Sequence, residues 1–114
     1  MKYLMLIYGH EDTWTGLSPA DLETLIGRVD AFNAALRDSG ELVGAEGLLP
    51  QARSVRLAGG QPVVTDGPYL EAKEFVGSYF MVDVDSEERA LEIARAYPGV
   101  AFGGGLEIWP VMRQ

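Results

Sequence analysis

The chain has no cysteine, a single histidine (His10) and nine lysines and arginines against seventeen aspartates and glutamates. Without cysteine there is no disulfide, no thiolate nucleophile and no cysteine-ligated metal. One histidine with scattered carboxylates does not make up a set of metal ligands, so no metal is expected. The shortage of positive charge leaves a net charge of -8. Such a surface repels phosphate backbones and anionic lipid, which argues against nucleic acid and membrane as partners. Long apolar runs are missing too. Tyr3 to Tyr8 is too short for the core of a signal peptide or for a membrane span, and the default location is the cytoplasm. Gly103-Gly104-Gly105 lacks the lysine and the following helix of a phosphate-binding loop, and no cofactor is expected.

What is present is the composition of one globular domain over residues 1–114, 47% apolar and 23% charged. Tyr3 to Tyr8 and Phe75 to Val84 are apolar at nearly every position and predict central strands covered on both faces. Ser18 as N-cap, Pro19 at the first helical position and Asp21 behind it announce a helix. Its apolar stripe is Leu22, Leu25, Ile26, Val29, Phe32 and Leu36, and Gly40 stops it. Leu42 to Leu48 reads as a strand whose glycines predict a bulge or a close backbone approach. Ser54 to Leu57 and Pro62 to Thr65, joined through Gly59-Gly60, read as a hairpin. A capping box of Asp85 and Glu88 opens a second helix that buries Ala90, Leu91, Ile93, Ala94 and Tyr97 and ends at Pro98-Gly99. Leu106 to Val111 is the last strand, and Pro110 confines it to an edge or terminus.

This order predicts an α+β fold: a ferredoxin-like split βαβ with an inserted β-hairpin and an antiparallel sheet. Two helices cover one sheet face only. The other apolar face calls for a second copy, so a homodimer with sheets packed face to face is expected.

Between the hairpin and the second central strand lies Thr65-Asp66-Gly67-Pro68-Tyr69-Leu70-Glu71-Ala72-Lys73-Glu74. Pro68 fixes its own φ and favours extended geometry at Gly67, while Asp66 is suited to accept from nearby backbone N–H groups, making a stiff turn. Asp66-Gly67-Pro68 with Tyr69, Glu71 and Lys73-Glu74 behind it resembles the signature of the DGPF proteins, the YCII-related branch of the dimeric α+β barrels. The resemblance runs from Lys2–Tyr8 to Glu107-x-x-Pro110. It implies a dimeric barrel with small clefts, a histidine and aspartate pair in some relatives, and a link with extracytoplasmic-function sigma factors.

The candidate acid and base are Asp66 and His10. Asp66 is either a turn residue or a carboxylate fixed at a cleft mouth, and His10 either a solvated loop residue or a proton-transfer group. Lys73 and Glu74 read as a surface ion pair. Candidate ligand contacts are Tyr8, Glu46, Gly67, Pro68, Tyr79, Glu107 and Trp109. Glu107 and Trp109 share a strand face opposite Leu106 and Ile108 and should look into the barrel, and Glu46 sits among apolar neighbours. A buried carboxylate there needs partners. Related sequences carry arginine in place of Trp109, so the expected ligand is neutral or aromatic rather than anionic. Two functions follow: a barrel that performs isomerase, lyase or cofactor-free oxygenase chemistry on a small metabolite, or a non-enzymatic accessory module that binds another protein.

Overall fold

The computed structural model describes residues 1–9, 16–67 and 75–113. In chain order it contains β1 (Lys2–Gly9), α1 (Pro19–Asp38), β2 (Leu42–Gly47), β3 (Arg53–Ala58), β4 (Gln61–Asp66), β5 (Phe75–Asp83), α2 (Glu87–Arg95), a short α3 (Pro98–Ala101) and β6 (Gly105–Pro110). Strands β2, β5, β1 and β6, in that order, form a four-stranded antiparallel sheet, and β3 and β4 form a separate hairpin. The expected split βαβ with its inserted hairpin is therefore present, and β6 is an edge strand as Pro110 requires.

Pleating sorts the central strands into two faces. Tyr3, Met5 and Ile7 of β1 are buried with Phe80 and Val82 of β5 in one cluster that includes Leu36 of α1 and Ala90 and Ile93 of α2. Ile108 and Leu106 of β6 and Leu42 and Ala45 of β2 pack against that cluster. The alternate residues face the other way. Leu4 pairs with Met81 and Trp109, Leu6 with Tyr79 and Glu107, and Glu46 with Tyr79. On this second face Leu4, Leu6, Tyr8, Tyr79 and Met81 are only half-buried, and Trp109 is 53% exposed.

Local signals set the element ends. The Ser18 Oγ accepts from the Asp21 N–H at 3.1 Å, and Gly40, at φ 79°, turns the chain out of α1. Four local expectations need correction. Helix α2 is capped one residue later than expected: Ser86 is extended and its Oγ accepts from the Arg89 N–H at 3.1 Å, so the Asp85–Glu88 box does not form the cap. Leu91 points outward while Ala90, Ile93 and Ala94 are buried. Pro98 starts α3 rather than ending α2, which has already closed at Arg95. Gly67 has φ 96°, a left-handed value that glycine takes without cost, not the extended geometry expected before proline. The β2 bulge is present between Leu42 and Gly44. A Cβ added at Gly44 or Gly47 would meet nothing within 4 Å, so these glycines do not mark a close backbone approach.

Two contacts lock the layers. Phe80 stacks on Tyr97 with centroids 5.5 Å apart, and Phe32 meets both rings edge-on at 5.5 and 5.4 Å. This wedge joins α1, β5 and the α2–α3 junction. Phe80 is 1% exposed, so Phe80→Ala should cost about 3–5 kcal/mol in urea unfolding, through lost burial and the cavity left behind. The second contact is ionic. The Arg89 guanidinium donates to both oxygens of Glu41 at 2.8 Å and to Glu92 at 3.1 Å, tying α2 to the entry of β2. The Arg89 hydrogen bonds, helped by Ser39, hold the Glu41 carboxyl down from its ordinary 4.5 to about 2. A carboxyl depressed in the folded state adds stability above its unfolded pKa and loses it as pH falls through the folded value. Glu41→Gln should therefore lower the melting temperature at pH 7, and the gap to the unaltered protein should narrow between pH 4.5 and pH 2.

Candidate functional site

The residues singled out in the sequence fall in three places. His10, Pro68, Lys73 and Glu74 lie outside the described residues. Asp66 is the last residue of β4, opposite Arg53, with its carboxylate 95% exposed and 3.8 Å from the Arg53 Nε. Gly67 follows at the hairpin base, where its N–H donates to the Ala52 carbonyl at 2.8 Å and its carbonyl accepts from the Ser54 hydroxyl at 2.7 Å. Tyr8, Tyr79, Glu46, Glu107 and Trp109 belong by register to the uncovered sheet face.

On that face Tyr8, Glu107 and Trp109 form a connected group. The Trp109 indole N–H donates to the Glu107 Oε1 at 3.2 Å, and the Tyr8 hydroxyl also bonds to Glu107. That hydrogen bond, with burial and the carboxylate charge behind it, pushes the Tyr8 phenol above its ordinary 10.0. The phenol is thus a donor to Glu107 and keeps its proton. Glu46, on the edge strand, is exposed rather than enclosed by its apolar neighbours in sequence.

A cleft formed by the described residues of the chain itself lies on the opposite side of the sheet, under the N-terminal half of α1. It has a volume of about 360 Å³ and is walled by Leu25, Ile26 and Val29 of α1, Ala45 and Gly47 of β2, Gly77, Ser78 and Phe80 of β5, and Tyr97. Asp30, Asn33 and Ser78 supply polar atoms, and Glu46 and Tyr79 also border it. The cleft exists because β2 and β5 place small residues beneath α1. Ile26, expected within the buried stripe, is 53% exposed as a result. Burial pushes the Tyr97 phenol up, partly offset by its hydrogen bond with Ser78. Gly99 makes room for this ring, since a Cβ there would come within 2.6 Å of its Cε2.

Sequence patterning selected neither Asp30, Asn33, Ser78 nor Tyr97 as a site. The available signal was weak: a serine interrupting the apolar run of β5, and an aspartate and an asparagine flanking the stripe of α1. The sequence reading placed the cleft between paired sheets, whereas this cleft lies between sheet and helix. Among the described residues no helix is long and apolar enough to cross a membrane.

A solved structure of 5-chloro-2-hydroxyhydroquinone dehydrochlorinase (TftG) from Burkholderia phenoliruptrix AC1100, in complex with 2,5-dihydroxybenzoquinone, aligns with 96% of this chain and 94% of its own. Identity is 17% and the TM-score 0.44, a level that carries no inference about activity. Uncharacterized protein R00369 of Rhizobium meliloti (strain 1021) is 29% identical over 97 residues, 83% of this chain and 78% of that protein. The YCII-related domain matches residues 1–113, nearly the whole chain and both of its central strands, and the chain therefore belongs to the YCII-related family.

Proposed function

We propose that this protein is a cytoplasmic homodimer that holds one small neutral, aromatic metabolite per subunit in the cleft under α1. The observation that carries this reading is the cleft itself. Its roughly 360 Å³ falls within the usual range of ligand pockets, and its walls are apolar with a few convergent polar groups. Leu25, Ile26 and Val29 supply apolar wall, backed by the stacked Phe80 and Tyr97 rings. Asp30 at the wall and a chain charge of -8 disfavour an anionic one.

The same groups offer proton-transfer chemistry of the isomerase, lyase or cofactor-free oxygenase kind. Asp30 is a carboxylate able to accept a proton, and Tyr97 is a phenol that burial keeps protonated and able to donate. In this reading Asp66 keeps its place in the hairpin base. Dimerisation draws on the uncovered sheet face, where Glu107 already has the Trp109 and Tyr8 donors and costs less to cover than a bare carboxylate.

Two measurements test the two halves. In a Trp14→Phe background Trp109 is the remaining tryptophan. Its emission should shift to the blue as concentration rises through the dimerisation range, and a concentration-independent, water-like emission overturns the homodimer. For the cleft, small neutral phenols should raise the melting temperature more than dicarboxylates or phosphates at equal concentration. Gly47→Leu, whose Cβ enters open space, should remove that response while leaving the fold intact. A phenol response that survives Gly47→Leu places the binding elsewhere.

A further inference from the structure

We infer that the groove between α1 and the α2–α3 junction is a second ligand site, taking a small organic oxyanion: a carboxylate or phosphate carried on an apolar body. The site goes beyond the cleft and the homodimer proposed above and depends on neither. The groove has a volume of about 620 Å³ and is open to solvent. Arg28 and Phe32 line it from α1, Arg95 from the end of α2, and Pro98 and Val100 from α3. Its charge is the reverse of the chain's. Aspartates and glutamates number seventeen against nine lysines and arginines, yet this groove holds two of the arginines and no carboxylate. Arg53 and Arg89 are paired with carboxylates, whereas neither Arg28 nor Arg95 forms an ion pair with one among the described residues. Two uncompensated guanidiniums in one groove make a local positive field that attracts an anion.

The two arginines come from different elements. Arg95 lies in the last turn of α2, where a cation suits the helix dipole, and that alone accounts for its presence. It does not account for Arg28, which is in the middle of α1 and lines the same groove. The Arg28 guanidinium lies 5.9 Å from the centroid of the Phe102 ring. A ring contact of this kind uses the flat face of the guanidinium and leaves its N–H edge for the paired hydrogen bonds that a carboxylate or phosphate accepts. The rest of the lining is mostly apolar: Phe32, Pro98 and Val100, with the last 43% exposed. A bare inorganic anion would meet the arginines and leave that surface in water. An anion with an apolar body covers both, and about 60 Å² of apolar surface removed from water is worth roughly tenfold in affinity.

Hexanoate, hexyl phosphate and acetate, titrated separately against the full chain and followed by backbone amide NMR, test the site. Hexanoate or hexyl phosphate should shift the signals of residues 28–32 and 95–101 with a dissociation constant at least tenfold below that of acetate, and the tighter of the two identifies the headgroup. Arg28→Gln with Arg95→Gln should raise that constant tenfold or more. Both arginines are exposed and glutamine is a comparable helix former, so circular dichroism should report an unchanged fold. Arg95→Gln alone, which leaves the Phe102 contact in place, should weaken binding in the same direction. Tyr97 borders both this groove and the cleft under α1, and Gly47→Leu separates them. Binding in the groove should survive that substitution, whereas the phenol response of the cleft should not. No shift with either hexyl probe, equal binding of acetate, or binding that the arginine variants leave unchanged overturns the oxyanion site while the cleft stands. Loss of hexanoate and hexyl phosphate binding in Gly47→Leu assigns both to the cleft and likewise overturns the groove.

Discussion

The structure depends on one mismatch between layers: the sheet has two apolar faces and the chain has helices for one. In β1 the alternation is complete, with Tyr3, Met5 and Ile7 buried beneath the helices and Leu4, Leu6 and Tyr8 half-buried on the far side. Strand β5 repeats it, setting Phe80 and Val82 against Tyr79 and Met81. Because pleating allows no other arrangement of neighbouring side chains, a strand apolar throughout must divide its burial between two layers. The helix layer satisfies one. The slab left behind is thin, and its stability in isolation rests on the first face and on the contacts that hold α1 and α2 to it.

Those contacts also make the cleft. The Phe32–Phe80–Tyr97 wedge draws the C-terminal half of α1, with Leu36, onto the sheet. Toward its N-terminal end, α1 faces Ala45, Gly47, Gly77 and Ser78, which are too small to fill the space beneath Leu25, Ile26 and Val29. Large rings at one end and small residues at the other tilt the balance from packing to void along a single helix. Core and cleft therefore share Phe80 and Tyr97 as members. A substitution that relaxes the wedge would change the cleft along with the stability.

The fold was legible wherever the determining physics is local. Ser18-Pro19 fixed the start of α1 because an N-cap acts within three residues, and Gly59-Gly60 fixed the hairpin because the turn needs two positive φ values. The cap of α2 was misplaced by one residue because Asp85 and Ser86 both carry suitable oxygens, and backbone direction decides between them. Tertiary packing turned Leu91 outward, and no periodicity over a nine-residue helix resolves that. The cleft was illegible for a different reason. It is defined by volume missing between α1, β2 and β5, and a missing side chain leaves the same mark in sequence whether it admits a neighbour or an empty space. The glycines of β2 read in sequence as a bulge or a close backbone approach; the bulge is present beside Gly44, and a Cβ at Gly47, which borders the cleft, would meet nothing within 4 Å.

Trp109 shows how a single side chain sets the state of its neighbours. An arginine in that position would bring a fixed positive charge and a planar fork of donors to Glu107, neutralising the carboxylate. The indole brings one N–H, at 3.2 Å, and no charge. Glu107 is thus hydrogen-bonded but not neutralised, and its negative charge acts on Tyr8 alongside the hydrogen bond and the burial, all three raising the phenol pKa. Around a neutralised carboxylate that charge contribution would vanish or change sign. The tryptophan therefore leaves the uncovered sheet face apolar in area yet negative in charge, with Tyr8 held as a protonated donor to Glu107.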